Sequence, residues 1–365
     1  MSVLETIDKW LPPPQSLRIS GVGIDISESS IKYIGFKPSY KSADKLSLAH
    51  YGEVDLPEGV ISRGEINDVV TLSKVLAEVR HKTGIPYARV SLPEERIYIF
   101  ETEVDADSSS KEIRQQIEFK LEENVPLPSR DAYFDFELSS SLNEEGNRVA
   151  SVTVCAKEII DKYYEAYKLA KITPLSFEVE SAAIARAVLP FNFTGSKLLI
   201  DFGKTRTGLG IVNNGALLHT STIDLGGRDL STTLKRQLGE LSESELTKIK
   251  NDFGLVVQKD NKNLAESLLP TMAAIRDEVQ LRIEYWSDKN GENRKIDQII
   301  ICGGSANLRG VTTYLSETLG IETSLGDVWQ NVFDTKIKTP PIDRQHSYGY
   351  ATAIGLGLTS FADSL

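Results

Sequence analysis

The sequence predicts an α/β protein of two domains, each built on a β-β-β-α-β-α core, with an α+β subdomain inserted in the first. Three observations carry this. A pattern of apolar run, single Asp, small or hydroxyl-bearing turn and second apolar run occurs at Gly21–Lys32 and again at Lys197–Val212. Each copy reads as a hairpin with a carboxylate at the bend. A third segment, Gln298–Cys302, reads as a buried strand that runs into Gly303-Gly304-Ser305 and, beyond Gly310, a helix. Amphipathic helices alternate with these strands.

In chain order, residues 1–15 stand apart from the core. Val3, Leu4, Ile7, Trp10 and Leu11 share one helical face, and Pro12-Pro13-Pro14 ends it as a stiff spacer. This face suits packing on the chain's own domain, a partner or a membrane surface, and Glu5 and Asp8 make it poor for lipid. Gly21–Phe36 is the first hairpin, and Leu46–Val54 its third strand. Asn67–Thr83 carries Val69, Leu72, Val75, Leu76 and Val79 on one helical face, and Ala88–Leu92 returns as a strand. From Ile97 to Ile172 the pattern is strand, helix (Ser110–Glu123), two strands, helix (Lys157–Ala170). A helix is expected over Phe177–Leu189. The second hairpin and its third strand span Leu198–Ile223. Helices then follow at Leu230–Leu238, Ser242–Phe253, Leu264–Trp286, Val311–Leu319 and Tyr348–Leu358.

With 365 residues there is room for two sizeable cores. A net charge of −11 excludes the basic stripe of a nucleic-acid binder and broad attachment to anionic lipid. Cys155 and Cys302 lie in apolar strand-like runs and read as reduced core residues. No basic-then-apolar leader opens the chain and no run reaches about 18 apolar residues, so a cytoplasmic location is expected.

Two hairpins facing each other make a clamp for nucleotide phosphates. Turn amides and hydroxyls hold the phosphates, and Asp25 and Asp201 hold a hydrated Mg²⁺. The paired glycines after Cys302 let a ligand approach the backbone, and the helix start adds amide donors. Gly203-Lys204-Thr205 lacks the upstream glycine of a Walker loop.

Together these elements resemble the phosphate-1, phosphate-2 and adenosine motifs of the actin-like (ribonuclease H-like) ATPase superfamily. The helix Ile113–Leu127 with its Val-Pro-Leu-Pro stop and the Tyr133–Phe136 segment narrow the resemblance to the PilM family of type IV pilus assembly. It covers about residues 18 to 358; the division protein FtsA and the cytoplasmic part of type II secretion GspL are relatives of that family. The resemblance implies a tail at 1–17, a first-domain core at 18–96 and 340–365 and a partner-binding insertion at 97–176. It also implies a second-domain core at 177–230 and 296–339, with a helical subdomain at 231–295. ATP and Mg²⁺ are the implied cofactors. Ser27, Ser29, Ser30 and Lys32 fall on phosphate-1, and Gly203, Lys204, Thr205 and Thr207 on phosphate-2. Gly303, Gly304, Ser305, Leu308 and Gly310 fall on the adenosine motif. Gly226 and Gly227 fall on the ribose side, and Lys250 beside adenine. Glu180 matches the acidic residue that orients water for hydrolysis, with Glu178 its rival. One departure stands out: Ser27-Glu28 replace the usual Gly and small residue, and a carboxylate beside triphosphate costs about 1 kcal/mol or more.

The implied function is a nucleotide-binding scaffold, at most a slow ATPase, held at the inner membrane by its partner. In this family the insertion and first domain form a groove for the N-terminal cytoplasmic segment of the membrane protein PilN. Other pilus assembly proteins and self-association are further implied partners. A small-molecule kinase of the superfamily and an FtsA-like membrane-associated filament protein are the alternatives.

Overall fold

The computed structural model describes residues 21–38, 46–143, 146–258, 261–290, 294–333 and 339–364. The N-terminal segment 1–15 lies outside them. Strands β1 (Val22–Ile26), β2 (Ser30–Pro38) and β3 (Leu46–Asp55) form an antiparallel meander. A short hairpin, β4 (Ile61–Ser62) and β5 (Glu65–Ile66), precedes α1 (Val69–Thr83). Asp68 caps α1 by accepting the Thr71 N–H, and Gly84 in the left-handed region ends it. β6 (Tyr87–Leu92) then returns parallel to β1.

The inserted unit follows. β7 (Ile97–Val104), β8 (Ala132–Leu142) and β9 (Arg148–Ala156) make a three-stranded sheet in the order β7-β9-β8. Helix α2 (Ser110–Asn124) starts at a capping box of Ser109 and Glu112 and buries Ile113, Ile117 and Leu121. These pack with Phe100, Val104, Val152 and Val154 as a separate small core.

Two boundaries differ from expectation. Helix α3 (Lys157–Leu169) turns Ile159, Tyr163 and Tyr167 into the core formed by Leu72, Leu76 and Val79 of α1. It is therefore part of the first domain, and the insertion closes at Ala156 rather than 176. Next, β10 (Thr173–Val179) pairs parallel with β6, Phe177 opposite Val90 and Val179 opposite Leu92. The expected helix at Phe177 therefore begins only at Glu180, as α4 (Glu180–Val188).

The second domain repeats the first. It comprises β11 (Ser196–Phe202), β12 (Thr207–Asn213), β13 (Ala216–Ile223), α5 (Gly227–Leu238), α6 (Glu243–Asp252), α7 (Lys262–Asn290), β14 (Ile296–Cys302), α8 (Val311–Leu319) and β15 (Thr323–Leu325). Its strand order, β13-β12-β11-β14-β15, mirrors β3-β2-β1-β6-β10 in both sequence of strands and their directions. After α9 (Arg344–Ser347), helix α10 (Ala351–Leu358) crosses back to pack on β1 and α4. Both α4 and α10 lie in the core between the sheets. The backbones meet closely there: a Cβ on Gly23 would lie 2.3 Å from the Ala353 carbonyl oxygen, and one on Gly355 would lie 1.7 Å from that of Ala183. Among the described residues, no helix is long and apolar enough to cross a membrane.

Candidate functional site

The β1–β2 turn, the β11–β12 turn and the loop after β14 converge on one cleft of about 520 Å³ between the domains. Asp25, Ser27, Ser29, Ser30, Lys32, Glu180, Asp201, Gly203, Lys204, Thr205, Gly227, Lys250, Gly303, Gly304, Ser305 and Leu308 all line it. Residues far apart in the chain meet there because β1 and β11 occupy equivalent places in equivalent sheets, and their carboxyl ends face each other.

Each turn is internally braced. Ser27 Oγ accepts the Ser30 N–H at 3.1 Å and donates to its carbonyl at 2.9 Å. Lys32 stands opposite Asp25 in the ladder, and its ammonium reaches Ser30 Oγ and Glu53, both at 3.0 Å. Gly203 closes the second turn by donating its N–H to the Arg206 carbonyl, and its own carbonyl accepts from Ser305 Oγ at 2.9 Å. Gly303 has φ of 97°, and a Cβ there would strike Asp201 Oδ1 at 2.4 Å. Around Gly304 no atom would come within 4 Å of an added Cβ, so its backbone is open to the cleft.

Buried charge dominates the site. Burial pushes the Asp25 carboxyl above its ordinary range, against the pull of Lys32 and a hydrogen bond from Ser91 at 3.0 Å. Burial and the neighbouring Asp25 push Asp201 up to about 6. Two half-buried carboxylates that repel each other fit a shared divalent cation, which would lift both penalties. Among the described residues no cluster of three or more His, Cys, Asp or Glu forms a metal cage. Two carboxylates thus suit a cation that keeps most of its water.

Three expectations change. Gly226 does not line the cleft; it packs behind the second turn, where a Cβ would meet the Arg206 nitrogen at 2.7 Å. Thr207 is buried with its hydroxyl donated to the Leu225 carbonyl at 2.8 Å, which leaves no proton for a phosphate. Thr207→Val is expected to cost about 1 kcal/mol of stability and leave nucleotide affinity unchanged, read by urea unfolding beside calorimetry. Glu178 faces away from the cleft, paired to Arg186 at 2.7 Å. Lys250 is buried and donates to the Gly227 carbonyl and Ser231 Oγ, both at 2.9 Å, tying α6 to the glycine turn.

Glu28 does not oppose the cleft freely. Its carboxylate accepts the Arg63 N–H at 2.7 Å, in the β4–β5 turn. Residues missed by motif reading sit beside it. Arg206 ion-pairs with Glu95 and, at 3.5 Å, with Glu180. Glu94 is 3% exposed, receives both the N–H and the hydroxyl of Ser181, and is pushed up to about 8 by burial. The available signal was positional: Pro93-Glu94-Glu95-Arg96 follows β6, as the glycine loop follows β14, its counterpart in the other sheet.

The family described as type IV pilus assembly protein PilM matches residues 23–361. Among solved structures, a PilM–PilN type IV pilus biogenesis complex is similar with a TM-score of 0.78 at 19% identity, over 94% of this chain and 99% of that one. The ethanolamine utilization protein EutJ of Carboxydothermus hydrogenoformans matches at 0.53 and 16%, covering 95% and 90% of the two chains. MreB5 of Spiroplasma citri, in a structure bound to ADP, matches at 0.55 and 13%, covering 96% and 98%. The two mirrored sheets are thus an actin-like fold.

Proposed function

The chain belongs to the PilM family of type IV pilus assembly proteins, and from this we propose that it is a scaffold that binds Mg-ATP and captures a membrane partner. The carrying observation is the convergence of both hairpin turns and the Gly303-Gly304 loop on one cleft with two half-buried, neighbouring carboxylates. Asp25 and Asp201 would hold hydrated Mg²⁺, which would neutralise phosphate charge. Lys32 and Lys204 supply further cations, and Gly304 leaves room for the base and sugar. Turnover is slow because Glu180, the candidate to orient water, already pairs with Arg206. In a similar solved structure PilM is complexed with PilN. We assign the same partner here: the N-terminal cytoplasmic segment of a PilN-like inner-membrane protein, seated between the insertion and the first domain. That partner would hold the protein at the cytoplasmic face of the membrane.

Calorimetric titration with Mg-ATP, with and without EDTA, tests the cleft; absence of binding would reject it. Partner capture is tested by excision. Removing 97–172 would strip Tyr163 and Tyr167 from the first core and unfold the protein. Tyr98 and Val154 are cross-strand partners, so residues 99–153 can be replaced by a two-residue turn. This variant is expected to stay folded by circular dichroism and to lose a synthetic PilN-segment peptide in titration. Capture that survives the excision would move the groove elsewhere.

A further inference from the structure

Glu94, Glu95 and Arg96 are consecutive, and each grips a different element: two that line the cleft and one, the β4–β5 turn, that lies beside it. Glu94 holds the first residues of α4 through Ser181. Glu95 holds the β11–β12 turn through Arg206. Arg96 holds the β4–β5 turn, donating to the Arg63 carbonyl at 2.9 Å and pairing with Glu65 at 3.4 Å. That turn in turn holds the β1–β2 turn, because the Arg63 N–H donates to Glu28. Every nucleotide-facing hairpin and the start of α4 are therefore tied, by one or two bonds, to three residues. Strand β7 of the insertion begins at the very next residue, Ile97.

We propose that Glu94-Glu95-Arg96 is the junction that passes nucleotide occupancy to the insertion. The inference rests on the Mg-ATP reading above and deepens it with the route of regulation. Three features suit a junction. The segment is a single 3-10 turn between two strands, so a shift of its side-chain anchors moves the root of β7 directly. The second oxygens of Glu94 and Glu95 are buried without a partner among the described residues, so each carboxylate has bonding capacity to spare in a rearranged state. A cavity of about 760 Å³ adjoins the segment, lined by Glu94, Glu95, Arg96 and Ile97, and gives it room to move. The insertion also touches the second domain beyond the junction, through Ser151 Oγ to the Leu217 carbonyl at 3.0 Å and Arg294 to Glu101 at 2.6 Å. A shifted root would therefore be felt as a change in how β7 and β9 lie against β13. Glu28 gains a purpose as well: it gives the first hairpin a handle on the junction.

The test is amide hydrogen exchange of the full chain, with and without Mg-AMPPNP. In the wild type, nucleotide should change exchange over residues 97–104 and 148–156 by about fivefold or more, the lower range of ordinary coupling. Glu95→Gln and Arg96→Gln weaken two of the three links separately, so a variant too unstable to purify leaves the other to decide. Each should still respond over residues 200–207 and 303–310, yet show a clearly reduced response in the insertion, because one of the three anchors is weakened. Transmission that persists in full in both variants would overturn the proposal. So would a wild type that binds nucleotide with no response in the insertion, and that outcome would leave the binding reading intact. Failure to bind Mg-AMPPNP at all would bring down both.

Discussion

Asp201→Asn is expected to weaken Mg-dependent nucleotide binding by about 100-fold and, in the same protein, to raise the melting temperature of the ligand-free form. Both effects have one cause. Asp201 is half-buried beside Asp25, and desolvation with the Asp25 charge pushes its carboxyl from 3.8 to about 6. A pKa raised in the folded state means that proton binding favours folding. That stabilisation is complete below pH 3.8 and is lost as pH rises through 6, about 3 kcal/mol in all. At pH 7.5 the ligand-free wild type therefore carries an ionised carboxylate it would rather protonate, and the amide removes that strain. The same ionisation makes the site attractive to Mg²⁺. Wild-type affinity for Mg-ATP should accordingly fall as pH is lowered through 6, and the variant, left with Asp25 alone, should show a smaller fall. Calorimetry at several pH values beside thermal melts reads both. A variant that is less stable than wild type at pH 7.5 would show that Asp201 is satisfied without a cation.

Gly355→Ala is expected to have the largest effect on stability of any single methyl addition, about 3 kcal/mol or more. An ideal Cβ there would sit 1.7 Å from the Ala183 oxygen and 2.4 Å from its carbonyl carbon. Those are backbone atoms of α4, so no side chain can rotate away. The helices must separate, and α10 cannot retreat freely, since its backbone also packs against Gly23 of β1, where an added Cβ would lie 2.3 Å from the Ala353 oxygen. Moving α10 would open the core that joins the two sheets. Gly84→Ala, with open space around its Cβ, is the control for the added methyl, though its φ of 70° adds its own strain. Urea unfolding followed by tryptophan fluorescence measures the difference. A cost under about 1 kcal/mol would show that the crossing relaxes easily.

The hairpins, the glycine loop and most helices were legible because their signals are local: period, turn residues, a cap. Asp68 before Val69 and Ser109 with Glu112 mark helix starts in the sequence itself. Strand β10 was not legible. Thr173-Pro174 and the charged Glu178 hide a strand whose identity depends on pairing with β6, and Phe177–Leu189 then looks helical throughout. The membership of α3 was equally hidden, since an amphipathic face does not say which core it covers. At the site, single residues within a motif could be placed by spacing. The Arg206–Glu95 pair could not, because its members are 111 residues apart and neither segment announces the other. Gly226 and Thr207 show the converse: a residue inside a binding turn can be spent on holding the turn's shape.

The packing of α10 onto β1 also sets an order for folding. β1 is synthesised before the other described strands of both sheets, whereas the helix that covers its glycine face is made after them all. The first sheet thus leaves the ribosome with one face open, while β11 to β15 and their helices form a contiguous stretch that can close on itself. The half of the protein that begins first should finish last. Protease protection of truncated chains should appear in the second domain before the first, and α10 should act as the latch that ends the process.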